Sequence, residues 1–200
     1  MRTVRERRKS PIRIFLREFA GHPGVVGAIA PSSRTLAVRM LDTIDFSTVR
    51  TIVEYGPGTG VVTREITARV RPGTRFFAVE RNESMADALR RSMPGVRLHE
   101  DSVENIEQIC ADEGVESVDA IVSGLPWSAF KSDLQDRILK ATARVLRPGG
   151  QLMTFAYHTG LVLPAGRRFH QKLPNYFSKI TYSRSVWLNV PPAFVVRCVR

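Results

Sequence analysis

Three stretches of the chain group glycines and carboxylates in a way that suits a small polar ligand. In Glu54-Tyr55-Gly56-Pro57-Gly58-Thr59-Gly60 every second residue from Gly56 is glycine. Such a run lets the backbone turn sharply and approach a ligand with no side chain between. Glu80 follows 20 residues after Gly60, and a carboxylate placed there can accept hydrogen bonds from both hydroxyls of a ribose. Glu100-Asp101 offers an acid to an amino group such as that of adenine. A fourth stretch, Ser123-Gly124-Leu125-Pro126-Trp127, joins a small polar residue to a Pro-aromatic turn, more than is needed to reverse a chain. Tyr157-His158 adds a phenol and an imidazole, groups able to orient or deprotonate an amine. The same pair at a strand end can also serve packing alone.

The elements that must hold these residues follow from periodicity. Strand-like runs at 50–55, 74–80, 95–100, 117–124 and 151–158 alternate with helix-like runs at 61–70, 83–92, 103–114 and 132–146. Strands separated by helices predict a parallel sheet covered on both faces, with ligands at the strands' carboxyl ends. The glycine loop, Glu80, Asp101 and Ser123–Trp127 all fall at such ends. The glycine spacing is G-x-G-x-G, not the dinucleotide-binding G-x-G-x-x-G, and no Walker lysine follows. Strand-like runs at 176–190 and 192–199, joined by Pro191-Pro192, predict an antiparallel hairpin closing the sheet. Near the start, Ser10 suits an N-cap and Pro11 the first helical position. Ile12, Phe15, Leu16 and Phe19 form one apolar stripe, beside Arg13 and Arg17. A further helix is expected near 31–41. The domain reading is a basic tail with an amphipathic helix at 1–24 and a single domain at 25–200.

With 43% hydrophobic residues in 200, the chain can bury a core. No run reaches the ~18 apolar residues of a spanning helix, and no signal-peptide pattern follows the basic start. Cys110 and Cys198 lack metal-ligand spacing. These features predict a cytoplasmic protein with no metal. The net charge is +11, and it is segregated. Residues 1–18 hold seven basic and two acidic residues, and residues 164–200 hold seven basic residues and no acid. Basic ends around a near-neutral middle predict an anionic partner, either nucleic acid or a membrane surface.

In combination, "VEYGPGTG", Glu80, "EDS" at 100–102 and "LRPGG" at 146–150 resemble the class I S-adenosylmethionine-dependent methyltransferases. The resemblance covers about residues 50–157. It implies a Rossmann-like α/β fold whose seven-stranded sheet runs 3-2-1-4-5-7-6, mostly parallel. It also implies S-adenosyl-L-methionine as cofactor and S-adenosyl-L-homocysteine as product. By position it implies cofactor contacts from Ser32, Ser33, Glu54, Tyr55, Gly56, Gly58, Gly60, Glu80, Arg81, Asp101, Ser102, Ser123, Gly124 and Leu125. Glu54 and the glycine loop would flank the methionine part, Glu80 the ribose and Asp101 the adenine edge.

The acceptor is read at "SGLPW". Base amino-group methylases carry an Asn or Asp before the Pro-aromatic turn; here that place is Ser123 or Gly124, depending on alignment. A base amine held by an Asn side chain therefore fits less well, though an rRNA or DNA adenine methylase stands as the alternative. The rRNA dimethylases resembled have a helical domain after strand 7, and none is expected here. "FLREFAGHPGVVGAIAPSSRTLAVRM", "VSGLPW" and "NVPPAFVVR" resemble the bacterial phospholipid N-methyltransferases, from about residue 12 to 197. That resemblance implies a peripheral enzyme on the anionic inner leaflet of the cell membrane. Such an enzyme converts phosphatidylethanolamine towards phosphatidylcholine. Trp127 departs from it, since many members carry a non-aromatic residue there. The acceptor site is expected from Trp127, Tyr157, His158 and Tyr176, with the lipid phosphate near Arg167, Arg168, Lys172 or Arg184.

Overall fold

A computed structural model describes residues 33–200. The expected docking helix and Ser32 lie outside the described residues. The order is α1 (Arg34–Leu41), β1 (Thr51–Tyr55), α2 (Val61–Thr67), β2 (Arg75–Val79), α3 (Glu83–Ser92), β3 (Arg97–His99), α4 (Ile106–Asp112), β4 (Val118–Ser123), α5 (Ser132–Val145), β5 (Leu146–Tyr157), α6 (Pro164–Lys172), β6 (Lys179–Tyr182) and β7 (Ala193–Val199). The sheet runs β3-β2-β1-β4-β5-β7-β6, as the resemblance implied. Neighbours from β3 to β5 are parallel, and β7 lies antiparallel between β5 and β6.

Side-chain alternation along the strands divides the core into two layers. Val53, Tyr55, Ile121 and Leu152 face the layer completed by Ile106, Ile138 and Phe169 from α4, α5 and α6. Ile52, Ala120, Val122 and Met153 face the layer completed by Leu36 and Met40 of α1 and Ile66 of α2. Both β1 and β4 are buried on each face, which explains their near-continuous apolar sequence. Caps set two helix starts: Ser33 Oγ accepts from the Leu36 N–H, and the Asn82 side chain accepts from the Met85 N–H.

The second half departs from expectation in three places. β5 begins at Leu146, so Arg147-Pro148-Gly149-Gly150 is part of the strand, and the pairing with β4 shifts register between Val118 and Ala120. α6 was not anticipated, because "PAGRRFHQK" contains Pro and Gly, and only Gly166 and Phe169 are buried in it. The expected long hairpin is short: β6 has four residues, and residues 183–192 form a loop that meets β7 through hydrogen bonds between Ser183 and Val195 and through the isolated bridge of Val186 with Ala193. Pro191 and Pro192 have no N–H to offer a ladder there, and the Val190–Pro191 bond is cis.

Candidate active site

A cleft of about 510 Å³ opens at the carboxyl ends of β1 and β2 and the start of the segment after β3. Its lining includes Gly56, Glu80, Arg81, Asn82, Asp101, Ser102, Leu125, Pro126 and Phe130. A second cleft of about 580 Å³, around Arg50, Arg75, Asp119 and Arg147, lies at the opposite end of the strands. The first is the better candidate, since open α/β sheets bind ligands beyond the carboxyl ends.

The loop after β1 is left-handed at Gly56, Gly58 and Gly60, with φ of 63°, 54° and 77°. Side chains disfavour that conformation, which accounts for the alternate glycines. Gly124 arrives from β4 and donates its N–H to the Tyr55 carbonyl at 2.8 Å. A Cβ at Gly124 would sit 2.6 Å from the Gly56 carbonyl oxygen, so the two loops meet as bare backbone. Leu125 then closes over Gly56, its Cδ2 3.1 Å from where a Cβ would be.

Glu80 sits at the end of β2. Its Oε1 accepts from the Asn82 N–H at 2.9 Å and its Oε2 from the Gly58 N–H at 3.4 Å. Burial raises its pKa, opposed by N–H groups of Asn82, Gly58 and Arg81. A carboxylate has about four acceptor positions, so capacity for a further hydroxyl donor remains. The two hydrogen bonds that Asp101 accepts, from the Ser102 N–H at 2.6 Å and Asn105 Nδ2 at 2.9 Å, both fall on Oδ1. Ser102 caps the following turn by accepting from the Glu104 N–H.

Glu54 is buried beside the start of α2. Burial, reinforced by the charge of Glu80, pushes its carboxyl up to about 8, and neighbouring Thr63 offsets this only in part. Glu54 Oε2 and Thr63 Oγ1 are each buried without a hydrogen-bond partner. A buried acid with an orphaned oxygen at the root of a glycine loop is an acceptor awaiting a donor. This orphan, the spare capacity of Glu80 and the bare-backbone loop fit a nucleoside joined to an amino acid.

The other expected residues are distributed differently. Tyr55 offers only backbone to the loop; its ring lies in the core, its hydroxyl accepts from Thr142 Oγ1 at 3.4 Å, and burial raises its pKa strongly. Ser33 spends its hydroxyl capping α1 and donates its N–H to Asn189 Oδ1. Ser123 is fully buried, with Oγ accepting from the Leu125 N–H at 3.3 Å. Trp127, expected as a wall of the acceptor site, is instead turned inward and only 4% exposed. Its ring stacks on Phe169 at 4.5 Å, and its Nε1 donates to Thr154 Oγ1 at 2.9 Å. The reason is α6, whose Phe169 covers the ring. Tyr176 does not border the cleft; its hydroxyl donates to Asp136, which also pairs with Lys172. Tyr157 is half-buried at the end of β5, its pKa raised by burial. His158 is exposed, with Nε2 2.9 Å from Ser185 Oγ. Asn82, Phe130, Leu134 and Ile138 line the cleft and were not expected. The last two sit one turn apart on α5, a pairing visible in its apolar stripe.

Comparison with known proteins agrees with this geometry. Residues 52–150 match the family described as "Methyltransferase domain". The chain is 31% identical over 188 residues to the ornithine lipid N-methyltransferase of Singulisphaera acidiphila, covering 92% of this chain and 94% of that one. In structure it resembles an O-methyltransferase from Bacillus cereus in complex with SAH, with a TM-score of 0.66 and 16% identity. That likeness covers 98% of this chain and 94% of the other. The O-methyltransferase TomG from Streptomyces achromogenes, in complex with SAM, superposes with a TM-score of 0.65 at 18% identity, covering 96% and 90%. The chain belongs to the class I S-adenosylmethionine-dependent methyltransferases, and S-adenosyl-L-methionine is its cofactor. Among the described residues there is no cluster of metal ligands, and no helix is long and apolar enough to cross a membrane.

Proposed function

We propose that this enzyme methylates the amine of a membrane lipid, with phosphatidylethanolamine and its mono- and dimethyl forms as acceptors. The observation that carries the reading is the near end-to-end similarity to a lipid N-methyltransferase. That relative's name makes ornithine lipid the second acceptor to test. The turn after β4 adds support. With Ser123 turned inward and Gly124 bare, it offers no side-chain amide to the Watson–Crick edge of a base.

Glu80 would hold the ribose, Asp101 the adenine edge, and Glu54 with the glycine loop the amino-acid part. When bound, the cofactor supplies a sulfonium methyl group. The protein's task is then to exclude water and align the amine, and alignment dominates such displacements. An ammonium has no free lone pair, so a proton must leave before transfer. Tyr157, at the end of β5, and His158, just after it, are the proposed groups to orient the amine and pass its proton on. Trp127 would act indirectly, by fixing the turn. The basic segment at 1–24 is proposed as a membrane-docking helix of this peripheral enzyme.

The test is incubation with methyl-labelled cofactor and vesicles of phosphatidylethanolamine and phosphatidylglycerol, with ornithine lipid and rRNA fragments in parallel. Label should enter the amine lipid. Glu80→Ala should weaken cofactor binding at least ~10-fold, from loss of hydrogen bonds to a charged group worth ~1.5–3 kcal/mol. Label in adenine with the lipids untouched would overturn the reading.

A further inference from the structure

The large apolar side chains exposed among the described residues are not scattered. Leu161, Val162, Tyr182, Trp187, Leu188 and Val190 all fall between residues 161 and 190. The most exposed, Trp187 (73%), Leu188 (78%) and Val190 (74%), share the loop before β7. Val162, 68% exposed, belongs to the loop after β5. Pairing of Tyr157 with Ala193 sets the two loops side by side. The His158 ring also stacks on Trp187, with centroids 6.1 Å apart.

The loop is anchored rather than loose. Val186 is buried and bridged to Ala193. Asn189 is 1% exposed, accepts from the Ser33 N–H at 2.8 Å and donates to the Pro191 carbonyl at 2.7 Å. Two inward anchors thus hold three apolar side chains out in water, an arrangement that costs free energy unless something apolar covers them. Charge identifies what does. Arg168 and Arg184 are exposed and form no ion pair among the described residues. Arg167 donates to the carbonyls of Leu161 and Val162. No acidic residue occurs from 164 to 200 to repel an anion.

We infer that Trp187, Leu188 and Val190, with Val162 beside them, insert into the interface of an anionic phospholipid bilayer, flanked by Arg168 and Arg184. Trp suits the headgroup boundary, arginine stems reach along apolar surface to phosphates, and the two attractions add. The inference rests on the lipid-acceptor reading. It locates membrane contact at the carboxyl end of the sheet, where the cleft also opens.

The chain has two tryptophans, and the other, Trp127, is buried, so Trp187 is a built-in probe. Vesicles of pure phosphatidylglycerol carry no acceptor amine, so binding is read apart from catalysis. Adding them should shift the emission to the blue, and brominated-chain phosphatidylglycerol should quench it. Both changes should be absent in Trp187→Phe. Combining Trp187→Ser, Leu188→Ser and Val190→Ser should cut vesicle partitioning at least ~10-fold, with cofactor affinity and melting temperature near wild type. Three results would overturn the inference: emission unchanged at saturating vesicles, a triple variant that binds as wild type, or Trp187 already shielded without lipid in a dimer seen by sedimentation. Quenching without methylation of any lipid would instead defeat the acceptor reading and leave the docking surface standing.

Discussion

Two loops at the same end of the sheet each pair a tryptophan with proline, and they meet opposite fates. After β4, Leu125-Pro126-Trp127 turns inward: the ring is sandwiched by Phe169, tied to Thr154, and its carbonyl accepts from Gln135 Nε2 at 2.8 Å. Before β7, Trp187-Leu188 turns outward, the indole exposed with the His158 ring stacked on it. Composition does not separate them. What does is the cover: α6 lies over the first loop, and no described element covers the second. The inward loop is therefore part of the fold, whereas the outward one is held by the fold without contributing to it.

Breaking the inward loop should have the largest effect. Trp127→Ala removes a buried indole and should destabilise the protein by ~3–5 kcal/mol, lowering the melting temperature by roughly 6–20 °C. A calorimetric scan within a degree or two of wild type would show that the ring is not a structural post, and the contrast between the loops would fail.

Next in size is the buried acid at the root of the glycine loop, beside the start of α2. The carboxyl of Glu54 is pushed up to about 8 in the folded chain, from an ordinary value of 4.5. Below that ordinary value both folded and unfolded states are protonated. As pH rises towards 8 the unfolded state ionises first, so this group's contribution to stability falls across that window. Glu54→Gln should remove the loss, and its advantage over wild type should grow by on the order of a few kcal/mol between pH 4.5 and 8.5. Denaturant melts at the two pH values measure it; a difference that stays constant with pH would sink the assignment.

The smallest effect belongs to the outward loop. Trp187→Ser alone should shift stability by no more than ~0.5 kcal/mol, as for surface positions generally. A large loss in chemical denaturation would mean that the indole packs, and the two loops would be alike after all.

The same division runs through what sequence reasoning could reach. The alternation of strands and helices and the glycine loop were legible because backbone geometry dictates them, whereas the strand order came with the family resemblance. Left-handed φ requires glycine at 56, 58 and 60, and strand ends place the acids. Trp127 was misjudged as a cleft wall because the covering helix carries no pattern of its own. Phe169 is its one large buried side chain, set between Gly166 and basic residues. The anchor at Asn189 was equally hidden, since its partner is a backbone N–H 156 residues away in sequence. Local spacing announces backbone demands; it is silent about which distant side chain will lie on top.

The reversal of one strand has a kinetic corollary. Because β7 runs antiparallel between β5 and β6, the 183–192 loop emerges at the same end of the sheet as the cleft. A parallel β7 of the same seven residues would carry that loop roughly 20 Å to the far rim. On the proposed lipid reading, acceptor and cofactor would be handled on one side of the molecule, and an acceptor would reach the docked enzyme by lateral diffusion in the leaflet. Turnover would then follow the mole fraction of acceptor in the surface, not its concentration in the tube. Diluting the amine lipid with an inert one at constant total lipid should slow the reaction, whereas diluting the whole vesicle suspension should leave the rate per docked enzyme unchanged.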